Sequence, residues 1–165
     1  MKELSEICSH VYRSPLGNIW VAGTESGLTD LRFCDAQFQG GDPPARLLPV
    51  CLWLDAYFAG EKPDFGHIRL APRGTEFQHR VWKAMLDIPY GTTTTYGHLA
   101  RQLGTSPRAI GGAASRNPLF ILVPCHRVIG TDGQIKGYAG GISHKKWLLA
   151  HEGWHYSPPT TNARG

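Results

Sequence analysis

The sequence has few cysteines and no long apolar run. Its 165 residues contain apolar runs of only a few residues, whereas a membrane-spanning helix needs roughly 20. Its first residues, Met-Lys-Glu-Leu-Ser-Glu, contain no apolar signal region. The four cysteines lack any Cys-x-x-Cys spacing, which favours reduced thiols over disulfides. These absences predict a soluble cytoplasmic protein, and an apolar content of 41% suits one or two small domains.

Acidic residues are scarce in the second half of the chain. Residues 74–156 contain nine lysines and arginines against four acidic residues, whereas residues 1–73 contain seven against nine. A basic region next to a slightly acidic one suits a polyanionic partner, because neutralised phosphates release their counterions. Charge alone fits a merely cationic surface equally well.

The first half of the chain reads as a small sheet followed by a helix. Residues 8–34 contain three β-rich runs separated by turn sequences at 14–17 and 24–27, which predicts an antiparallel meander. Apolar residues at helical spacing predict a helix over 47–59, closed by Gly60. A connector with one more short strand at 67–70 then leads to a domain boundary near Arg73.

The second half of the chain is mainly helical. One amphipathic helix precedes Pro89, a short helix begins near Tyr96 and ends at Gly104, and a second begins with Ser106 as N-cap and Pro107 as its first residue. The last two have the dimensions of a helix-turn-helix. The second contains Gly111 and Gly112, and each costs about 1 kcal/mol of helix stability relative to alanine. Such a pair indicates close approach of another backbone, either DNA or a neighbouring helix of the protein.

A cysteine stands directly beside a histidine after the apolar run 121–123, which reads as a short buried strand or extended segment. Pro124 restricts the backbone just before Cys125, so its thiol should have a defined direction. A neighbouring imidazole can help to form the nucleophilic thiolate. A Cys-His pair alone is a weak signal, since many cysteines in apolar runs are small buried hydrophobes.

Four motifs that follow one another along the chain strengthen the interpretation of Cys125 as a reactive nucleophile. They are Arg108-Ala-Ile-Gly-Gly-Ala-Ala-Ser-Arg-Asn-Pro118, Pro124-Cys-His-Arg-Val128, Gly137-Tyr-Ala-Gly-Gly141 and Trp147-Leu-Leu-Ala-His-Glu-Gly153. This set resembles the O6-alkylguanine-DNA alkyltransferases, densely over residues 75–153 and loosely before them. The resemblance implies a ribonuclease H-like N-terminal α/β domain over 1–73, with a three-stranded antiparallel sheet and a helix. It also implies a winged-helix-like helical domain over 74–156, which binds DNA and accepts the alkyl group, and residues 157–165 read as a flexible tail.

The resemblance implies direct-reversal DNA repair. Cys125 would take a methyl or other alkyl group from guanine O6 in one irreversible displacement, so each molecule would act once and need no cofactor. His126 would accept the thiol proton through a water molecule, and Glu152 would orient the imidazole. Asn117 would brace the turn that presents the cysteine. O4-alkylthymine stays open as a second substrate.

The resemblance also assigns a base pocket and a DNA-binding helix. Tyr96 would donate a hydrogen bond toward guanine N3, and the remaining pocket residues would be Val128, Tyr138, Ala139, Gly140 and Lys145, although an exposed helix lysine is the simpler reading of the last. A monomer would bind duplex DNA through the minor groove, where a helix of small residues fits. Arg108 would enter the base stack as the target nucleotide leaves it. The other predicted DNA contacts are Gly111, Gly112, Ala114, Ser115 and Arg116.

Three other functions and a metal site compete with this interpretation. A cysteine hydrolase or acyltransferase would need an oxyanion hole and usually a separated Cys and His. A non-catalytic, damage-binding relative would lack the cysteine, and a transcriptional regulator would not need Cys125, His126 and Glu152 together. Some relatives hold zinc near the N-terminus, but Cys8, His10 and Cys34 have no recognisable ligand spacing, so we predict no metal site.

Overall fold

The structure, a computed structural model, describes residues 6–38 and 40–155. These residues form two compact units. The sheet unit contains the chain up to Thr75 and the segment Asn117–Val123, and the helical unit contains Glu76–Arg116 and the chain from Pro124 onward. Within the described ranges, no helix has the length and apolarity needed to cross a membrane. The flexible tail predicted for 157–165 lies outside the described residues.

The sheet unit begins with the predicted antiparallel meander, which the structure confirms. Strands β1 (Cys8–Ser14), β2 (Gly17–Thr24) and β3 (Gly27–Phe33) lie in that order. Gly17 closes the first hairpin with a φ of 104°, a conformation that side-chain-bearing residues rarely adopt. Apolar side chains of β2 and β3 form the core of the unit, and Ile19, Val21 and Leu31 are fully buried.

Helix α1 (Leu48–Phe58) follows a 3₁₀ turn at Ala45–Leu47, which confirms the predicted helix at nearly its predicted bounds. The Tyr12 hydroxyl donates a hydrogen bond of 2.6 Å to Asp55 Oδ1, so the helix is tied to β1. The strand predicted at 67–70 is reduced to one parallel bridge between Leu28 and Leu70. At this bridge, the backbone N–H of Leu28 donates a hydrogen bond to Arg69 O, and the carbonyl of Leu28 accepts one from Ala71 N.

The segment Asn117–Val123 is a compact turn, so the predicted strand or extended run at 121–123 is wrong. Its start pairs with β3 through a parallel bridge between Leu31 and Leu119. The Asn117 side chain then accepts from Leu119 N at 2.9 Å and donates to Val123 O at 3.0 Å. Because these amide contacts replace the hydrogen bonds of a strand partner, the apolar chain can turn while buried, with Ile121 at a φ of 71°.

The helical unit contains α2 (Glu76–Leu86), α3 (Tyr96–Leu103), α4 (Pro107–Ser115) and α5 (Ile142–His151). Two short strands, β4 (Thr94–Thr95) and β5 (Val128–Ile129), pair in parallel. Trp82 Nε1 donates to Ala113 O at 2.9 Å, which fastens α2 to α4. The unit therefore carries its active-site segment between a helix-turn-helix and a C-terminal helix.

The helix-turn-helix has the predicted capping residues. Gly104 ends α3 in the left-handed region with a φ of 67°. The Ser106 hydroxyl accepts from Ala109 N, and Pro107 is the first residue of α4, as predicted. These signals fix where α4 begins, and therefore which of its residues face solvent.

Candidate active site

A cavity of about 670 Å³ lies within the helical unit. This volume is within the range of roughly 300–1,000 Å³ typical of small-molecule sites. Residues from α3, α4, the turn at Cys125 and the loops that follow it contribute to the wall. They are Tyr96, Pro107, Arg108, Gly111, Ala114, Ser115, Cys125, Gly130, Thr131, Lys136, Gly137, Tyr138 and Ala139. The cavity therefore brings the predicted nucleophile together with predicted pocket residues and with part of the predicted DNA-binding helix.

Cys125 begins the 3₁₀ turn Cys125–Arg127, immediately after Pro124. It is 3% exposed and lies on the cavity wall. The turn leads directly into β5, whose pairing with β4 anchors it. The thiol is thus held on backbone that continues into a paired strand, and it is reached by way of the cavity.

Behind the wall, His126 and Glu152 form a buried pair. His126 Nε2 and Glu152 Oε2 are 2.6 Å apart, and neither side chain is exposed. Glu152 follows the last residue of α5, where its carboxylate also accepts from the backbone N–H of Gly91 at 3.3 Å. The predicted association of the two residues is therefore present in the structure.

The surroundings of the pair favour an ionised Glu152 and a neutral His126. Burial raises the pKa of Glu152, but the hydrogen bonds and positive charges of His126 and Arg127 outweigh that effect and hold the pKa well below its ordinary value. The pKa of His126 is lowered, chiefly by burial and also by the positive charges of Arg127 and Lys145, although Glu152 acts in the opposite direction. A neutral imidazole beside a carboxylate must donate through Nε2, which leaves Nδ1 as the acceptor. In the described part of the chain, Nδ1 has no hydrogen-bond partner, so it can receive a proton.

Arg127 also belongs to this group, although the sequence motifs predict no role for it. Its Nε donates to Glu152 Oε1 at 2.6 Å, and its Nη1 donates to Ile88 O at 2.8 Å. The guanidinium also lies 5.6 Å from the ring centre of Tyr90. A buried glutamate needs a compensating cation, and that requirement could have pointed to the arginine beside His126.

Lys145 is fully buried, so its simpler reading as an exposed helix lysine is wrong. Its Nζ donates to Val128 O at 2.7 Å and lies 5.7 Å from the ring centre of Tyr96. Burial lowers its pKa to about 8, and the negative charge of Cys125 opposes that shift. Lys145 and Val128 do not line the cavity in the described structure, so they support its wall from behind.

Three predicted pocket residues line the cavity and Gly140 does not. The three are Tyr96, Tyr138 and Ala139. Burial raises the pKa of both tyrosines, and the charge of Cys125 adds to that effect, so both hydroxyls stay protonated. Gly140 instead accepts a hydrogen bond of 2.8 Å from His144 Nδ1 at the start of α5.

Helix α4 presents a surface of small and cationic residues. Arg108, Gly112, Ser115 and Arg116 are exposed, whereas Ile110 and Ala113 are buried. At both Gly111 and Gly112, a built Cβ atom would have no described atom within 4 Å. Packing among the described residues therefore does not explain the glycine pair. Arg108, Gly111, Ala114 and Ser115 line the cavity, while Gly112 and Arg116 lie outside its wall.

Asn117 lies in the sheet unit, within the turn that ends one residue before Pro124. It is buried, and its amide group satisfies backbone atoms at both ends of that turn. The remaining predicted catalytic residues, Cys125, His126 and Glu152, lie in the helical unit.

A cysteine on a cavity wall, followed in the chain by a neutral histidine that contacts an ionised glutamate, defines the class of cysteine-nucleophile proteins, which includes transferases and hydrolases. The comparisons with known proteins narrow this class. Residues 7–72 match the ribonuclease-like domain of 6-O-methylguanine DNA methyltransferase, and residues 76–154 match its DNA binding domain.

Similar proteins match most of the chain. A methylated-DNA–protein-cysteine methyltransferase of Methanosarcina acetivorans is 44% identical over 151 residues, which cover 87% of this chain and 96% of the relative. One from Mycobacterium leprae is 48% identical over 150 residues, covering 84% and 88%. The crystal structure of Mycobacterium tuberculosis OGT in complex with DNA superposes with a TM-score of 0.78 at 44% identity, covering 87% and 91%. The chain belongs to the 6-O-methylguanine DNA methyltransferase family.

Proposed function

We propose that this protein repairs alkylated DNA by moving the alkyl group from guanine O6 onto Cys125. The observation that carries the proposal is the position of Cys125 on the wall of a base-sized cavity, with the His126–Glu152 pair behind it. The names of the relatives support the same reaction. A hydrolase would share the Cys, His and Glu residues, but it would not need a cavity bounded by a glycine-rich, cationic helix.

The proton and the alkyl group take separate routes. His126 Nδ1 accepts the thiol proton through a water molecule, and Glu152 stabilises the imidazolium that results. The thiolate attacks the alkyl carbon, the S–C bond forms as the C–O6 bond breaks, and guanine is expelled. Tyr96 donates a hydrogen bond toward guanine N3 while negative charge develops on the leaving base. Because the product is a stable thioether, each molecule reacts once.

Helix α4 is proposed to hold the DNA through the minor groove. Its glycine-containing face has open space, as needed for close approach of a DNA backbone. Arg108 lies both on this exposed face and on the cavity wall, so it can fill the gap that the extruded nucleotide leaves. Arg116, also exposed, is placed to contact a phosphate.

Several finer proposals rest on the sequence. Residues 74–156 bind DNA and accept the alkyl group, while residues 1–73 support them. Asn117 braces the turn before Cys125, and the protein acts in the cytoplasm as a monomer. O4-alkylthymine is a second substrate to test.

The experiment is mass spectrometry of the intact protein and its peptides after incubation with a duplex that contains one O6-methylguanine. We expect one added methyl group on Cys125, which saturates at one per protein. Cys125→Ser should bind the duplex without accepting the group, and Cys34→Ser, which changes a thiol outside the site, should react like the wild type.

Two results would contradict the proposal. An unmodified protein that keeps the lesion bound would indicate damage recognition without transfer. A lesion that disappears while the protein stays unmodified would indicate hydrolysis.

A further inference from the structure

The loop of residues 130–137, here called the rim loop, closes one side of the cavity. Gly130, Thr131, Lys136 and Gly137 of this loop line the cavity. Gly130 N donates to Gln134 O at 2.8 Å, and Gly133 N donates to Gly130 O at 2.9 Å. The Asp132 carboxylate adds a contact of 3.1 Å to Gln134 N. These bonds give the rim loop a defined shape.

Lys136 lies across this loop with its stem against Gly130. A Cβ atom built at Gly130 would be 2.5 Å from Lys136 Cε, so a side chain there would displace the lysine. The Lys136 ammonium donates to Asp132 Oδ2 at 3.1 Å, and the two side chains are 48% and 51% exposed. Ion pairs this exposed are weak, so the ammonium can turn from Asp132 to a stronger acceptor in the cavity.

Apart from the Cys125 thiol, the ionisable groups with a fixed charge on the cavity wall have one sign. Among the described lining residues other than Cys125, Arg108 and Lys136 carry a charge, and both are cations. Arg108 belongs to α4, the helix proposed to hold DNA. Lys136 belongs to the rim loop and lines the cavity together with Gly130 and the neighbouring Tyr138. A group attached to guanine O6 must reach Cys125, so it would occupy the space that these residues enclose.

We propose that Lys136 determines substrate specificity by favouring O6-alkyl groups that carry a carboxylate. This inference rests on the proposed function of Cys125. The reaction balances as it does for methyl transfer: the thiolate forms an S–C bond to the substituent carbon next to O6, the C–O6 bond breaks, and guanine leaves. A carboxylate on that carbon repels the approaching thiolate, and the Lys136 ammonium offsets the repulsion through a charge-assisted hydrogen bond.

The test compares three duplexes, which carry O6-methylguanine, O6-carboxymethylguanine and the neutral isostere O6-carbamoylmethylguanine. Single-turnover rates of S-alkylation at Cys125 are measured for wild type, Lys136→Gln and Lys136→Arg, with Lys83→Gln on α2 as an exposed lysine control outside the cavity wall. We expect Lys136→Gln to lower the ratio of carboxymethyl to carbamoylmethyl transfer by about two- to fivefold, the range for one solvent-exposed ionic contact. Lys136→Arg should restore the ratio, and Lys83→Gln should keep it.

Methyl transfer distinguishes failure of the proposed reaction at Cys125 from failure of the proposed role of Lys136. Failure of every protein to alkylate Cys125 from O6-methylguanine would overturn the proposed function. Normal methyl transfer by Lys136→Gln with an unchanged carboxymethyl ratio would overturn the specificity inference alone. An equal loss on all three duplexes would also overturn it, since that result identifies Lys136 as a phosphate contact.

Discussion

Gly112→Ala should make the protein more stable and weaken its binding to DNA. Alanine is about 1 kcal/mol more favourable than glycine in a helix interior. No described atom lies within 4 Å of the added methyl group, so this gain should not be offset by a clash within the protein. For a chain of this length, a gain of about 1 kcal/mol raises the Tm by about 2–4 °C.

The same methyl group would stand on the face of α4 that we propose docks in the minor groove. Inserting a methyl group into a closely packed contact costs about 1–3 kcal/mol. This penalty corresponds to about 5- to 150-fold weaker binding. The two effects have opposite signs, so loss of folding cannot be mistaken for loss of the DNA contact.

The assay measures thermal unfolding and duplex affinity by fluorescence anisotropy, in a Cys125→Ser background that prevents alkyl transfer. Ser143→Ala, an exposed change on α5, serves as the helix-propensity control. A more stable Gly112→Ala protein with unchanged affinity would refute the assignment of this face to DNA. A Gly112→Ala protein that is less stable than the wild type would contradict the expectation that the added methyl group meets no other part of the protein.

Three further predictions concern the site. Arg108→Ala should slow repair in duplex DNA more than reaction with the free O6-alkylguanine base, because Arg108 acts only when a nucleotide leaves the stack; equal losses would contradict this role. Glu152→Gln should slow transfer by up to about 10⁴-fold, the loss expected when the carboxylate that orients a catalytic histidine becomes an amide. It should also remove the component of unfolding free energy that the wild type loses as pH falls below the ordinary carboxyl pKa of 4.5, and matching acid unfolding curves would argue against an ionised Glu152. In the wild type, Lys145 is neutral when folded and protonated when unfolded between pH 8 and 10.5, so the free energy of unfolding should rise with pH over this range. Lys145→Met should remove that rise. Urea titrations that show the same pH dependence for both proteins would disprove this prediction.

Local signals were sufficient for the meander and the helix-turn-helix. Turn residues separate the strands at nearly the observed bounds, and Gly104, Ser106 and Pro107 mark the end of α3 and the beginning of α4. Each of these elements is specified by residues a few positions apart. The ordered motifs also predicted that His126 and Glu152 would meet, as they do at 2.6 Å.

The features that sequence reasoning missed depend on distant contacts. Lys145 is buried because it meets the carbonyl of Val128, 17 positions away. Arg127 becomes a partner of Glu152 only after 25 residues of chain have folded back. The run before Pro124 turns because Asn117 supplies hydrogen bonds to it, and apolar composition alone cannot distinguish that turn from a strand. Periodicity carries no information about such contacts.

The burial of Cys125 has a consequence for a protein that is used once. A thiol that is consumed by its own reaction is also wasted if a peroxide or a free electrophile reaches it first, and such oxidation follows thiolate character and exposure. With 3% of its surface exposed, Cys125 can be attacked only by what enters the cavity, whereas Cys8 and Cys34 are more open to solvent. The cavity wall therefore protects the unreacted thiol from side reactions, in addition to forming a recognition surface for the base.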